Sequence, residues 1–222
     1  MKSWNVIVLC CLLGLGFSLV SDPVFGQAKP VDLSYSVMMP APHRNAVLAT
    51  GWSREVEKRT NGRVKITLFY GGTLTPGDKC YAGVVSGISD IGTSVLSYTA
   101  GRFPLTEVID LPLGYKSGAQ ATKVINEYYR KFRPKELDDV KVLYLHAHGP
   151  GFLMTKQPVR KLEDLKGMKI RSSGTIAKIS AHLGATPVAM PIADTYDALS
   201  KGVVDGVMIP FEALEGFRWK SA

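Results

Sequence analysis

The chain predicts an α/β fold built on mostly parallel sheet. Two patterns carry that expectation. Short apolar runs of strand character alternate with segments whose apolar residues recur at helical spacing, and glycine or proline punctuates nearly every change of pattern. The 222 residues, 45% hydrophobic and 21% charged, are an ordinary globular balance.

Taken in order, Val31 to Met38 reads as a strand. His43 to Thr60 reads as a helix with Leu48, Trp52 and Val56 at four-residue spacing, stopped by Asn61-Gly62. Arg63 to Phe69 alternates: Val64, Ile66 and Leu68 share one face, Arg63, Lys65 and Thr67 the other. A short helix is expected from Asp78 to Ser86, closed by Gly87, and a strand from Asp90 to Val95. Pro104 to Gly114 is apolar and irregular. Gln120 to Phe132 is helical, with Val124, Ile125, Tyr128 and Phe132 as its inward stripe. Val140 to His146 reads as a strand, and Ala-His-Gly-Pro-Gly at 147–151 as a crossing between two lobes.

Beyond it, strands are expected at Phe152–Thr155, Met168–Arg171, Pro187–Met190 and Val207–Pro210. Helices are expected at Thr175–Leu183 and Asp194–Ser200, the latter capped by Asp194. The expected organisation is a leader over 1–28, a first α/β lobe over 29–148 and a second over 149–222.

The leader rests on Lys2, the apolar run from Val6 to Val20, the break at Ser21-Asp22-Pro23 and small residues at Gly26 and Ala28. The run is short for a bilayer span of about 20 residues, which favours a cleaved signal peptide over an anchor. Cys10 and Cys11 leave with it, so Cys80 stands alone and the mature chain has no intramolecular disulfide. The net charge of +8 is scattered among acids, as at Arg54, Glu55, Glu57, Lys58 and Arg59. There is no basic stripe interleaved with aromatics, so nucleic acid is not an expected partner. A positive field favours small anions.

Motifs for chemistry are few. Gly72 to Lys79 has Asp78 where a phosphate loop needs lysine, and Gly149-Pro150-Gly151 lacks the third glycine of a dinucleotide fingerprint. There is no Gly-x-Ser-x-Gly elbow. His146 and His148 lack a nearby third metal ligand. No catalysis, cofactor or metal is expected. The informative residue is Arg171, at the end of a strand and just before a helix, where ligands of open α/β sheets sit. Its planar fork matches a carboxylate. A surface arginine paired with a neighbouring acid fits the sequence equally well.

Several runs resemble the substrate-binding subunits of tripartite ATP-independent periplasmic (TRAP) transporters, the DctP family. They are Thr60-Asn61-Gly62-Arg63-Val64, Gly71-Gly72-Thr73-Leu74, Gly87-Ile88-Ser89-Asp90-Ile91-Gly92, Asp164 to Arg171, Gly184-Ala185-Thr186-Pro187-Val188 and Ala198 to Gly206. The resemblance implies a two-lobed periplasmic solute-binding fold of type II character that closes on its ligand. It implies that Arg171 clamps a carboxylate, that the ligand is a small organic acid, and that membrane subunits of a TRAP transporter take it up. A second arginine known in sialic-acid-binding relatives has no counterpart at 149–152, and Val207-Met208-Ile209 replaces a polar contact, so a smaller or more apolar monocarboxylate is expected. His43, His148, Phe152, Ile209 and Phe211 are the further candidate lining residues.

Members of the family continue for roughly a hundred residues more, so the second lobe is expected to be incomplete. Two other readings stay open: a ligand-sensing domain that feeds a signalling protein, and a truncated remnant without function. If the leader is cleaved as expected, mass spectrometry of the periplasmic fraction will find Lys29 at the N-terminus. An intact Met1 in the membrane fraction would overturn this.

Overall fold

The computed structural model describes residues 29–217 and 219; the expected leader lies outside them. The first sheet has three parallel strands in the order β2-β1-β3, from β1 (Val31–Val37), β2 (Val64–Phe69) and β3 (Ile91–Thr93). The second has four, β4-β7-β5-β6, from β4 (Phe152–Thr155), β5 (Lys169–Arg171), β6 (Thr186–Val188) and β7 (Gly206–Ile209). Within it β5 runs parallel to both neighbours and only β4 is antiparallel, against β7. Helices α1 (Arg44–Arg59), α2 (Cys80–Val85), α3 (Gly118–Phe132), α4 (Gly174–His182), α5 (Ile192–Ser200) and α6 (Glu212–Gly216) complete the α/β alternation. Short 3-10 turns at 96–98 and 106–110 fill the irregular stretch before α3.

Helix α1 starts where His43 caps it, its Nδ1 accepting from the Asn45 N–H at 3.1 Å. It ends before Asn61 and Gly62, both at positive φ (50° and 76°). Its buried residues are Ala46, Ala49 and Ser53; Leu48 and Trp52 of the expected stripe are 62% and 41% exposed. The small residues let the helix backbone approach the sheet; Leu48 is left largely in solvent, while Trp52 reaches the edge of the core, its ring 6.2 Å from that of Tyr35. In α3 the expected Ile125 is buried, together with Ala121, while Val124 and Phe132 of the expected stripe are 38% and 60% exposed. Helix α5 is preceded by Pro191 at the cap position, with Asp194 inside the first turn instead of capping it.

The strand expected over 140–146 does not form. A strand needs a neighbour to take its backbone bonds, and among the described residues no ladder reaches this segment. Side chains of α3 substitute. Asn126 Nδ2 donates to the Leu145 carbonyl at 2.6 Å and its Oδ1 accepts from the Leu145 N–H at 3.1 Å. Thr122 Oγ1 donates to the Ala147 carbonyl and accepts from the Ala147 N–H in the same way.

The main core joins the two sheets. Tyr35, Val37 and Met38 of the first pack with Val207 and Ile209 of the second, with Ala46 and Ala49 of α1, and with Ile192, Ala213 and Trp219. A second cluster gathers Leu165, Ile170 and Ala185 beneath the other face of β5 and β6. Because α1 packs through its small residues, Ala49→Leu should cost about 1–3 kcal/mol by overpacking, whereas Leu48→Ala should stay within about 0.5 kcal/mol of the parent. Urea unfolding of the two variants checks this; the reverse order would restore the bulky stripe as the buried face.

Candidate functional site

Strand β5 lies between β6 and β7 and ends at Arg171. The turn at Leu162–Leu165 and Gly167, at φ 79°, deliver the chain to it. Neighbours on both edges leave Ile170 fully buried and Arg171 only 4% exposed. The guanidinium bonds only to neutral oxygens among the described residues. Nε and Nη2 donate to the Met190 carbonyl at 3.1 and 2.7 Å, and Nη2 also donates to Tyr98 Oη at 3.2 Å. The Tyr98 ring centroid lies 5.7 Å from Arg171 Cζ, within cation–π range. No carboxylate of the described residues pairs with Arg171; the ion pairs present involve other residues and are solvent-exposed.

The loop after β3 meets the start of α4 here. Ser97 Oγ and Ser173 Oγ are 3.4 Å apart. Gly174 sits at φ 52°, and a Cβ on it would stand 2.4 Å from Ser97 Cβ, so glycine alone permits both the conformation and the approach.

The other expected lining residues occupy different surroundings, and none of them bonds to Arg171. His43 is 8% exposed, caps α1, and packs edge-on against Phe217 with ring centroids 5.3 Å apart. His148 is exposed, its Nδ1 donating to the Gly149 carbonyl at 2.6 Å. Phe152 and Phe211 stack at 4.2 Å while remaining 41% and 57% exposed, an open aromatic pair. Ile209, 2% exposed, is a member of the core that joins the sheets. Tyr98 and Met190, the groups that hold Arg171, were absent from the sequence expectation; their separation from it along the chain gives no local pattern to read.

A cavity of about 540 Å3 opens nearby, lined by Met38, Pro40, Gly71, Ala193, Tyr196, Asp197, Phe217 and Trp219. It contains none of the expected residues, and its charged group is an acid.

Several titrating groups are shifted. His43 and His146 are both held below the usual histidine range, chiefly by burial; Glu212 opposes the shift in each. Asp110 is pushed up by burial, with His148 opposing. Glu107 is also raised, by burial and then by the neighbouring Asp110.

Two α/β lobes, one with an all-parallel sheet and one with a single antiparallel strand, have the fold of a two-lobed solute-binding protein. The family model of the bacterial extracellular solute-binding proteins, family 7 (DctP), matches residues 37–220, and the chain belongs to that family. A TRAP periplasmic solute-binding protein of Desulfovibrio salexigens is 43% identical with a TM-score of 0.67, over 85% of this chain and 59% of that one. A marine metagenome TRAP solute-binding protein specific for aromatic acids, solved with 3-hydroxybenzoate, is 35% identical with a TM-score of 0.80, over 86% of this chain and 61% of that one. The 2,3-diketo-L-gulonate-binding periplasmic protein of Escherichia coli is 29% identical over 164 residues, 72% of this chain and 50% of the relative. The chain thus spans half to about three fifths of the length of these proteins. No helix among the described residues is long and apolar enough to cross a membrane.

A histidine whose folded pKa is depressed contributes stability that is present above its unfolded value and lost as pH falls through the folded one. His43 and His146 should therefore weaken the fold as pH drops from about 7 to 5. The raised Glu107 and Asp110 act in the opposite sense, favouring the fold at lower pH. His43→Asn keeps a capping side chain but removes the titration, so its melting temperature should fall less across that interval than the parent's. An identical decline would show that His43 protonation does not contribute.

Proposed function

We propose that the protein is the extracytoplasmic receptor of a TRAP transporter, that it binds a small monocarboxylate with an apolar body, and that membrane subunits of the transporter receive that acid from it. The buried Arg171 carries this reading. A charge removed from water and left among neutral groups is costly, by several kcal/mol even after relaxation. A ligand carboxylate supplies the missing countercharge and accepts a charge-assisted hydrogen bond. Met190 and Tyr98 fix the Nε and Nη2 side of the fork, so Nη1 is the donor left for a ligand. Similarity to a receptor specific for aromatic acids supports the apolar body. Export by a cleaved leader, and a lobe boundary after His148, belong to the same proposal.

Calorimetric titration of 3-hydroxybenzoate into the mature protein tests the reading. Arg171→Lys keeps the charge and loses the fork, and should weaken binding about tenfold, the equivalent of one charged hydrogen bond. Arg171→Ala should abolish it. Equal affinity in Arg171→Lys and the parent would remove Arg171 from the ligand site.

A further inference from the structure

We propose that Tyr98 is a second ligand-binding residue, one that holds the two lobes together through its oxygen and presents its hydroxyl proton to the bound carboxylate. The inference rests on the carboxylate reading above and deepens it by assigning a second donor.

The oxygen of Tyr98 accepts two hydrogen bonds. One comes from Arg171 Nη2 at 3.2 Å, the other from the Ile192 backbone N–H at 3.1 Å. Tyr98 belongs to the 3-10 turn that follows β3, in the first lobe. Both donors belong to the second, one at the end of β5 and one at the first residue of α5. A phenol oxygen has two lone pairs and one proton. With both lone pairs engaged by N–H groups, the proton must point away from them, toward an acceptor. Arg171 and Ile192 offer donors on this side, so neither can take it. An anionic oxygen beside Arg171 can, and it would then receive an N–H from Arg171 and an O–H from Tyr98.

The ring is held in place for this task. It lies against Gly77, where a Cβ would stand 3.3 Å from two of its carbons, so a larger residue would displace the ring. On the opposite lobe, Arg171 is fixed by the Met190 carbonyl one residue before Pro191 and two before Ile192, so the two donors to Tyr98 share a support. A single oxygen thus meets both donors only when the lobes are together, and closure aims its proton.

The experiment compares three proteins of the same full chain, titrated with 3-hydroxybenzoate at about pH 6, where a phenol keeps its proton. The parent is the first. Tyr98→Phe keeps the ring on Gly77 and loses the oxygen. The third carries 3-fluorotyrosine at position 98, a stronger hydrogen-bond donor and a poorer acceptor than tyrosine. Tyr98→Phe is expected to lose about tenfold or more in affinity, and the fluorinated protein to bind more tightly than the parent. If Tyr98 only accepts bonds that position Arg171, fluorination weakens binding instead, and the donor role is overturned. Unchanged affinity in Tyr98→Phe overturns the whole assignment while the carboxylate reading stands on the parent's own binding. A parent that does not bind the acid, in a preparation that melts cooperatively, defeats the carboxylate reading and this inference with it.

Discussion

The constraint on which the site depends is the burial of one positive charge between two sheets. Arg171 is 4% exposed, and its bonds go to a carbonyl and a phenol oxygen. Such neutral dipoles solvate a guanidinium without neutralising it. They also fix the loops that carry them: the Met190 segment after β6 and the turn after β3 must both stay in place. Gly174 must remain a glycine so that the start of α4 can meet Ser97 in that turn. The outcome is a local field that stays positive in a medium of low dielectric, where a charge acts far more strongly than in water. The overall charge of +8 adds little here, since exposed charges are screened within about 8–10 Å at ordinary salt. In the proposed site, discrimination in favour of an anion would rest on this one desolvated group.

The sign of that charge also distinguishes the surroundings of Arg171 from the cavity. By volume alone, the cavity of about 540 Å3 beside Met38, Tyr196 and Trp219 would suit a small ligand. Its ionisable lining residue is Asp197, and a carboxylate ligand placed against it would meet repulsion. At the proposed Arg171 site the same ligand would meet attraction. Volume identifies space, and charge identifies what can occupy it.

The alternation of strands and helices was legible because each element announces itself locally. Arg171 was legible for the same reason: it ends a strand in a run of distinctive residues. What the sequence concealed depends on distance along the chain. The apolar stripe of Leu48 and Trp52 correctly marks α1 as a helix, but the buried face is chosen by close approach, which favours Ala46, Ala49 and Ser53. The strand expected at 140–146 had the right composition, yet strand formation is a property of a pair of segments. Tyr98 had no local signal at all, being one tyrosine among nine. His43 illustrates the converse: its place before a helix was visible, while its capping bond and its packing on Phe217 required the fold.

The unpaired segment also bears on how the lobes are connected. Thr122 and Asn126 bind the backbone of Leu145 and Ala147 to α3, so the chain is fixed to the first lobe as far as Ala147. The first residue of α3, Gly118, extends this contact: a Cβ there would lie 2.8 Å from the His148 carbonyl carbon. Gly149 is still touched: its N would lie 3.0 Å from that Cβ, and its carbonyl accepts from His148 Nδ1 at 2.6 Å. A Cβ on Gly149 would meet nothing within 4 Å, and at Gly151 the nearest atom is the Ile209 carbonyl carbon at 4.0 Å. Strand β4 begins immediately afterwards and is held by its ladder to β7. Two anchored stretches flank Gly149-Pro150-Gly151, in which Pro150 fixes its own φ and Gly151 keeps the wide range of backbone angles open to glycine. The lobe boundary proposed after His148 would place the change of support, from α3 to the β4–β7 ladder, within this tripeptide.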